Sequence, residues 1–289
     1  MNKSAIRALI VLVVCGFLSY GLVAATASLN VKFMGYPALL ICAVVSFIIQ
    51  WIAFVPSYLK QTEKFYDIVG SSTFLLVIGL ALFLVNPPSI YQWVLGFMVI
   101  IWAVRLGGFL FTRINQDGAD ARFEPIKPDK YRFFAAWTIQ GLWVLITSGA
   151  AITAITSVAQ PQITWASLIG GAIWLIGLII EVIADRQKRN FKLRSNINHS
   201  FITTGLWAFS RHPNYLGEII LWVGVAIAAI PALSGWQYIV IGSPLFVILL
   251  LVKVSGIPLL EAKADKKWGD NIDYLAYKAR TSILIPKIW

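Results

Sequence analysis

Charge is scarce in this sequence. Only 13% of its 289 residues are Asp, Glu, Lys or Arg, where a soluble domain of this length carries roughly a quarter. Long uncharged runs account for the deficit, which argues against an ordinary soluble domain. Cysteine is nearly absent: Cys15 and Cys42 both lie inside apolar runs, so neither a disulfide framework nor a thiolate metal site is expected. Two histidines, His199 and His212, give no zinc spacing. Internal repeats, low-complexity linkers and shifts of composition are also lacking, so residues 1–289 read as one membrane domain.

What is present is apolar: 58% of the residues, with a mean hydropathy of +0.76. Eight runs are long enough to cross a bilayer, at roughly 6–27, 37–59, 67–86, 90–112, 133–157, 165–185, 213–232 and 236–256. Each must be helical, because backbone N–H and C=O groups cannot go unpaired in hydrocarbon. The fold expected is therefore an all-α polytopic bundle of about eight transmembrane helices.

The loops alternate in charge. Those around 60–66, 113–132 and 186–211, with the tail from 257, hold most of the Lys and Arg. The opposite loops, near 28–36, 86–90, 158–164 and 231–236, contain Lys32 and no other charge. By the positive-inside rule both termini are cytosolic. Lys3 and Arg7 before an apolar run imitate a signal peptide, and Ala24-Ala25-Thr26-Ala27 imitates a cleavage site. Ile10 to Leu29 is nonetheless long for a cleavable segment and suits a first span. The net charge of +11 fits juxtamembrane segments meeting anionic lipid, and no nucleic-acid partner is expected. The expected partners are the bilayer and a hydrophobic small molecule.

Ionisable residues inside spans are costly and so informative. Asp67 opens the third span, Arg105 lies in the fourth, Glu181 in the sixth and Glu218 in the seventh. Asp67 and Arg105 are candidates for a structural ion pair. Beyond Glu181 the sixth span runs on into a basic stretch, where Glu181, Asp185, Lys188 and Lys192 share one helical face. Further on, Ser210-Arg211-His212-Pro213-Asn214-Tyr215-Leu216-Gly217-Glu218 opens the seventh span. Pro213 suits a first helical turn, so Arg211 and His212 sit beside a helix N-terminus, which favours anions. Asn214 and Glu218 are one turn apart on one face. The tail from Pro258 mixes aromatics and bases with Glu261, and reads as a cover over a cytosolic ligand or as an interfacial amphipathic helix.

These residues resemble a known family. Ser210 to Glu218 is similar to the hallmark of the steroid 5-alpha-reductase C-terminal domain and of the sterol C14 and C7 reductases. Gln187-Lys188 with Asn190-Phe191-Lys192 resembles their Gln-Lys-x-x-Phe-Arg segment, and Glu261, Trp268-Gly269, Tyr274 and Ile285-Pro286 resemble their closing pattern. The similarity covers roughly 165–289, the cofactor-binding half. It implies NADPH held in a cytosol-facing cavity by Glu181, Asp185, Lys188, Lys192, Arg194, Arg211, His212, Asn214, Tyr215 and Glu218, with Glu261 and Tyr274 from the tail. It further implies hydride transfer to a polarised C=C of a steroid-, sterol-, isoprenoid- or lipid-like substrate.

The first half departs from that pattern. The steroid enzymes carry Gln-Glu before Leu-Pro-Ser, and the local counterpart is Ala53-Phe54-Val55-Pro56-Ser57; their catalytic Tyr falls at Trp102. Tyr66, Asp67 and Arg105 are the polar groups at similar depth that stand as catalytic candidates. A more distant resemblance, through Arg-His-Pro-x-Tyr and the Ile-Pro ending, is to the isoprenylcysteine carboxyl methyltransferases and implies S-adenosylmethionine. Five cations in the nine residues from Arg186 to Arg194 suit phosphates better than that cationic ligand.

Overall fold

A computed structural model describes residues 2–117, 120, 122–159, 161–194 and 201–286. Its elements are helices α1 (Lys3–Thr26), α2 (Ala38–Leu59), α3 (Tyr66–Leu84), α4 (Ile90–Asp117), α5 (Lys130–Thr147), α6 (Gly149–Ile155), α7 (Trp165–Arg194), α8 (Pro213–Ala229), α9 (Ser243–Leu249), α10 (Ile257–Trp268) and α11 (Ile272–Arg280). One small hairpin, β1 (Lys32–Phe33) against β2 (Tyr36–Pro37), joins α1 to α2.

Among the described residues seven helical stretches are long and apolar enough to cross a membrane: Lys3–Leu29, Ala38–Leu59, Tyr66–Leu84, Ile90–Asn115, Trp165–Leu193, Pro213–Ala232 and Gly235–Trp268. An eighth arises if α5 and α6, bent by 52° at their junction, count as one broken span. The protein is an integral membrane helix bundle. The bend falls at Thr147-Ser148-Gly149, three poor helix formers, where the Ser148 hydroxyl turns back onto the Val144 carbonyl. The stretch expected at 236–256 is also irregular: a 3-10 segment, Gly235–Gly242, leads into α9, and a π-helical turn, Leu250–Val254, follows it.

Two compact units make up the chain, residues 1–167 with 225–243 and residues 168–224 with 244–289. In the first, α3 runs along α4, and α2 packs on α5 and α3. Lipid tails give apolar helices no reason to associate, so short polar contacts and small residues hold them. Ser46 donates to the Gly141 carbonyl (2.8 Å), Gln50 to the Thr73 hydroxyl (2.8 Å) and Trp51 to the Thr138 hydroxyl (3.2 Å). At one end of this unit, buried Asn30 donates to Thr156 (2.7 Å) and accepts from the Leu39 N–H (3.0 Å). Nearby, Gln237 donates to the Leu29 carbonyl. These contacts satisfy the chain where it turns back.

In the second unit, α7 and α8 meet backbone to backbone. Gly170 and Gly177 on α7 face Gly224 and Gly217 on α8, in antiparallel order. A Cβ at Gly217 would stand 2.6 Å from the Glu181 N and 2.7 Å from the Gly177 carbonyl oxygen. Only glycine permits this approach, and it sets Glu181 beside the turn of α8 that bears Glu218.

Candidate cofactor site

The site belongs to the second unit and is built from four pieces of chain. The first is the inner face of α7. Glu181 and Asp185 are buried on it, at 3% and 6% exposure, while Lys188 and Lys192, further along the same face, are exposed. The stripe read from the sequence is thus acidic where it is covered and basic where it emerges. Arg194 is the last residue of α7, but its side chain lies outside the described residues, as does His199.

The second piece is the stretch before α8. Gly205, at φ +65°, lets the chain turn tightly over the Gln187 amide. Gln187 Oε1 accepts the Leu206 N–H at 2.9 Å. Trp207 donates to the Ala184 carbonyl (3.0 Å), and the Lys188 ammonium lies 4.6 Å from the centre of its ring. The indole therefore fixes the segment to α7 and orients the first basic side chain.

The third piece is the start of α8, with Arg211 and His212 immediately before it. The backbone of this corner is held by the tail: the Arg211 N–H donates to the Ser282 carbonyl at 2.9 Å. His212 stacks on Tyr215, with ring centroids 5.6 Å apart and planes 10° apart. Asn214 is half-buried, and Glu218, one turn on, is 9% exposed.

The fourth piece is α10 with α11. Glu261 reaches from α10 to the corner before α8. Its carboxylate lies 2.7 Å from Arg211 Nη1, 2.8 Å from His212 Nε2 and 3.7 Å from Lys278 Nζ. Asp265, one turn further along α10, accepts from the Tyr274 hydroxyl (2.9 Å) and from Lys278. The Tyr277 hydroxyl donates to the Trp207 carbonyl at 2.7 Å, and burial pushes that phenol up to about 12.

The corner is charged yet under-satisfied. Arg211 Nη1 is close to Glu261 but outside hydrogen-bonding geometry, and neither it nor the buried Arg211 Nε has an acceptor among the described residues. A carboxylate only accepts, so neutral His212 must carry its proton on Nε2, leaving a bare Nδ1 as an acceptor. That Nδ1 is buried and without a partner. Burial holds the imidazole below its usual 6.5, and also outweighs the opposing pull of Glu261. A ligand that accepts at Arg211 and donates at His212 would complete both.

The catalytic candidates belong to the first unit. Asp67 pairs with Arg113, at 3.2 Å, rather than with Arg105 as the sequence suggested. Arg113 lies two turns further along α4 and brings its guanidinium to the level where α3 begins. Arg105 instead lies against the Phe109 ring, 5.5 Å from its centre. Tyr66 is packed between Phe123 and Trp137, at 4.7 and 5.0 Å, and donates its proton to the Ala136 carbonyl at 3.0 Å. Beside them lies an ion cluster that closes the loop before α5. Lys127 reaches Glu63 at 2.7 Å, and the Asp120 N–H donates to the same carboxylate. Burial raises the Glu63 carboxyl, but these hydrogen bonds outweigh it and leave it below its ordinary value.

The sequence reading missed Asp265 and Lys278 as parts of the site. A signal existed for the first, since Glu261 and Asp265 are four residues apart on one face of α10. Lys278 carried none.

The family model described as "Protein of unknown function (DUF1295)" matches residues 53–281. The chain belongs to this family. With it, the chain falls in the steroid 5-alpha-reductase superfamily. Curated relatives include 3-oxo-5-alpha-steroid 4-dehydrogenase 1 of Bos taurus, 33% identical over 73 residues, which are 25% of this chain and 28% of that protein. The Rattus norvegicus protein of the same name is 28% identical over 119 residues, 41% of this chain and 40% of its own length. The Homo sapiens protein is 34% identical over 62 residues, 22% of this chain and 24% of its own. The chain thus matches well under half the length of these curated relatives. No solved structure matches it with significance.

Proposed function

We propose that this protein is a membrane reductase that uses NADPH to reduce a polarised C=C of a hydrophobic, steroid- or isoprenoid-like substrate. The observation that carries the reading is the corner before α8, where buried Arg211 Nε and His212 Nδ1 lack partners at the head of a helix. Free N–H groups and the helix dipole make such a position favourable for phosphate. The names of the relatives supply the reaction class.

The residues fit a phosphorylated dinucleotide. Arg211 is oriented to meet a phosphate, and the bare His212 Nδ1 accepts from a ribose hydroxyl or an amide. Asn214 and Glu218 line the adjoining face of α8, and Glu218 accepts from hydroxyl groups. Lys188 and Lys192, with Arg186 and Arg189 on the exposed part of α7, meet the remaining negative charge, including the 2′-phosphate. NADPH supplies the hydride; the chain binds it, orients it and excludes water. For the proton that completes the reduction, Asp67 and Tyr66 are the candidates, with Arg113 holding the carboxylate of the first. Tyr66 must first give up its hydrogen bond to Ala136. The charge asymmetry of the loops supports a cytosolic site, and the membrane proposed is a bacterial inner membrane.

The test is to purify the protein in mild detergent and titrate NADPH, NADH and S-adenosylhomocysteine. NADPH is expected to bind more tightly than NADH, and S-adenosylhomocysteine not at all. Binding of S-adenosylhomocysteine in preference to NADPH would make the protein a methyltransferase and overturn the proposal.

A further inference from the structure

We infer that Glu261 is a resident counter-anion, which occupies the position of a ligand phosphate at the corner before α8 and is displaced when that phosphate binds. The inference rests on the reading above for the identity of the ligand, but the displacement itself requires only an anion.

Three features carry it. Glu261 is the carboxylate that faces both Arg211 and His212, at 2.7 and 2.8 Å. Its placement neutralises the corner without completing it, because Arg211 Nη1 stays off the hydrogen-bond direction and Nε has no acceptor. A phosphate group has three oxygens at tetrahedral angles and meets a guanidinium through two parallel bonds, which a single misaligned carboxylate oxygen does not do. Both side chains are at least nine-tenths buried, at 10% side-chain exposure for Arg211 and 6% for His212. Their unsatisfied atoms are therefore costly and drive exchange for a better-fitting anion.

The displaced carboxylate has somewhere to go. Lys278 Nζ already stands 3.7 Å from Glu261, on α11. A small rotation of the Glu261 side chain toward Lys278 moves it off Arg211 while keeping its charge paired. Lys278 in turn holds Asp265, so the exchange is transmitted along α10. The tail helices then respond to the ligand: α10 is latched on the corner before α8 when the phosphate position is empty and released from it when the position is filled.

The experiment uses the full chain in detergent, with inorganic pyrophosphate and NADPH as separate probes, titrated calorimetrically against wild type, Glu261→Gln and Glu261→Asp. Glutamine keeps the shape, and its amide oxygen still accepts from His212 Nε2, but it no longer competes for Arg211. Pyrophosphate should bind Glu261→Gln about tenfold or more tightly than wild type, the factor that one charge-assisted contact carries. Glu261→Asp should fall between the two. Weaker or unchanged pyrophosphate binding by Glu261→Gln would overturn the inference and make Glu261 a ligand contact or a structural residue.

The two readings fail separately. Tighter pyrophosphate binding by Glu261→Gln, with NADPH bound by neither protein, would sink the nucleotide and keep the latch. NADPH bound by wild type and lost in Glu261→Gln would sink the latch and keep the nucleotide. Should the variants not fold, hydrogen exchange on wild type decides. Added pyrophosphate should speed exchange of the amides in 259–266, and slower exchange there would contradict release.

Discussion

Replacing Gly217 by alanine tests whether the backbone contact of α7 with α8 builds the site. The added Cβ would lie 2.6 Å from the Glu181 N, 2.7 Å from the Gly177 carbonyl oxygen and 2.9 Å from the Glu181 Cβ. Comfortable contacts of carbon begin at about 3.5 Å, so the helices must part by about 1 Å. Two of the three obstacles are backbone atoms of the facing helix, so no side-chain rotation relieves them. Overpacking of this kind costs about 1–3 kcal/mol, against a gain of up to about 1 kcal/mol from replacing a mid-helix glycine with alanine. The control is Gly171→Ala, on α7, where an added Cβ meets nothing within 4 Å and only the propensity gain applies. The difference between the two variants isolates the packing term, about 1–3 kcal/mol in favour of Gly171→Ala. Unfolding in mild detergent measures it. Gly217→Ala should also lose stabilisation by NADPH, because Glu181 and Glu218 move apart. Equal stability of the two variants would refute the close contact.

Two other outcomes follow from the same physics. Reporter fusions after residues 64, 130, 200 and 289 should read cytosolic and a fusion at 160 external; one reversed loop would overturn the arrangement of spans. His212 takes up a proton less readily in the folded protein than its usual 6.5, so just below 6.5 the unfolded chain holds more protons. Stability of the ligand-free protein should therefore fall as pH drops through 6.5 toward the depressed value, and should rise again with increasing pH. Melting curves of wild type and His212→Asn check this: the variant should lose that part of the slope, and an unchanged slope would place the titration elsewhere.

The spans were legible in the sequence because hydrocarbon leaves helices no alternative, and run length alone located them. The face shared by Glu181, Asp185, Lys188 and Lys192 was legible for a similar reason, since helical spacing fixes it before any packing occurs. Partner choice was not. Asp67 selects Arg113 over Arg105 according to where α4 ends relative to α3, and no local rule encodes that level. The seven-residue spacing of Gly170 with Gly177 and of Gly217 with Gly224 is visible in the sequence, but not which helix each pair meets. The break at Thr147-Ser148-Gly149 escaped notice because its surroundings are uniformly apolar, so a straight span and a bent pair have the same composition. Lys278 reads as one more base in a basic tail until Glu261 and Asp265 are seen on either side of it.

The central claim is that the corner before α8 and the face bearing Glu218 hold NADPH. It is tested most directly by melting wild type and Glu218→Gln, each with and without saturating NADPH. A ligand present at a hundred times its dissociation constant stabilises the folded state by about 2.7 kcal/mol. Wild type should show a gain of that order over its ligand-free melt, and Glu218→Gln should gain little over its own. If Glu218→Gln keeps the full gain from NADPH, or if wild type shows none, the cofactor is not held at this site.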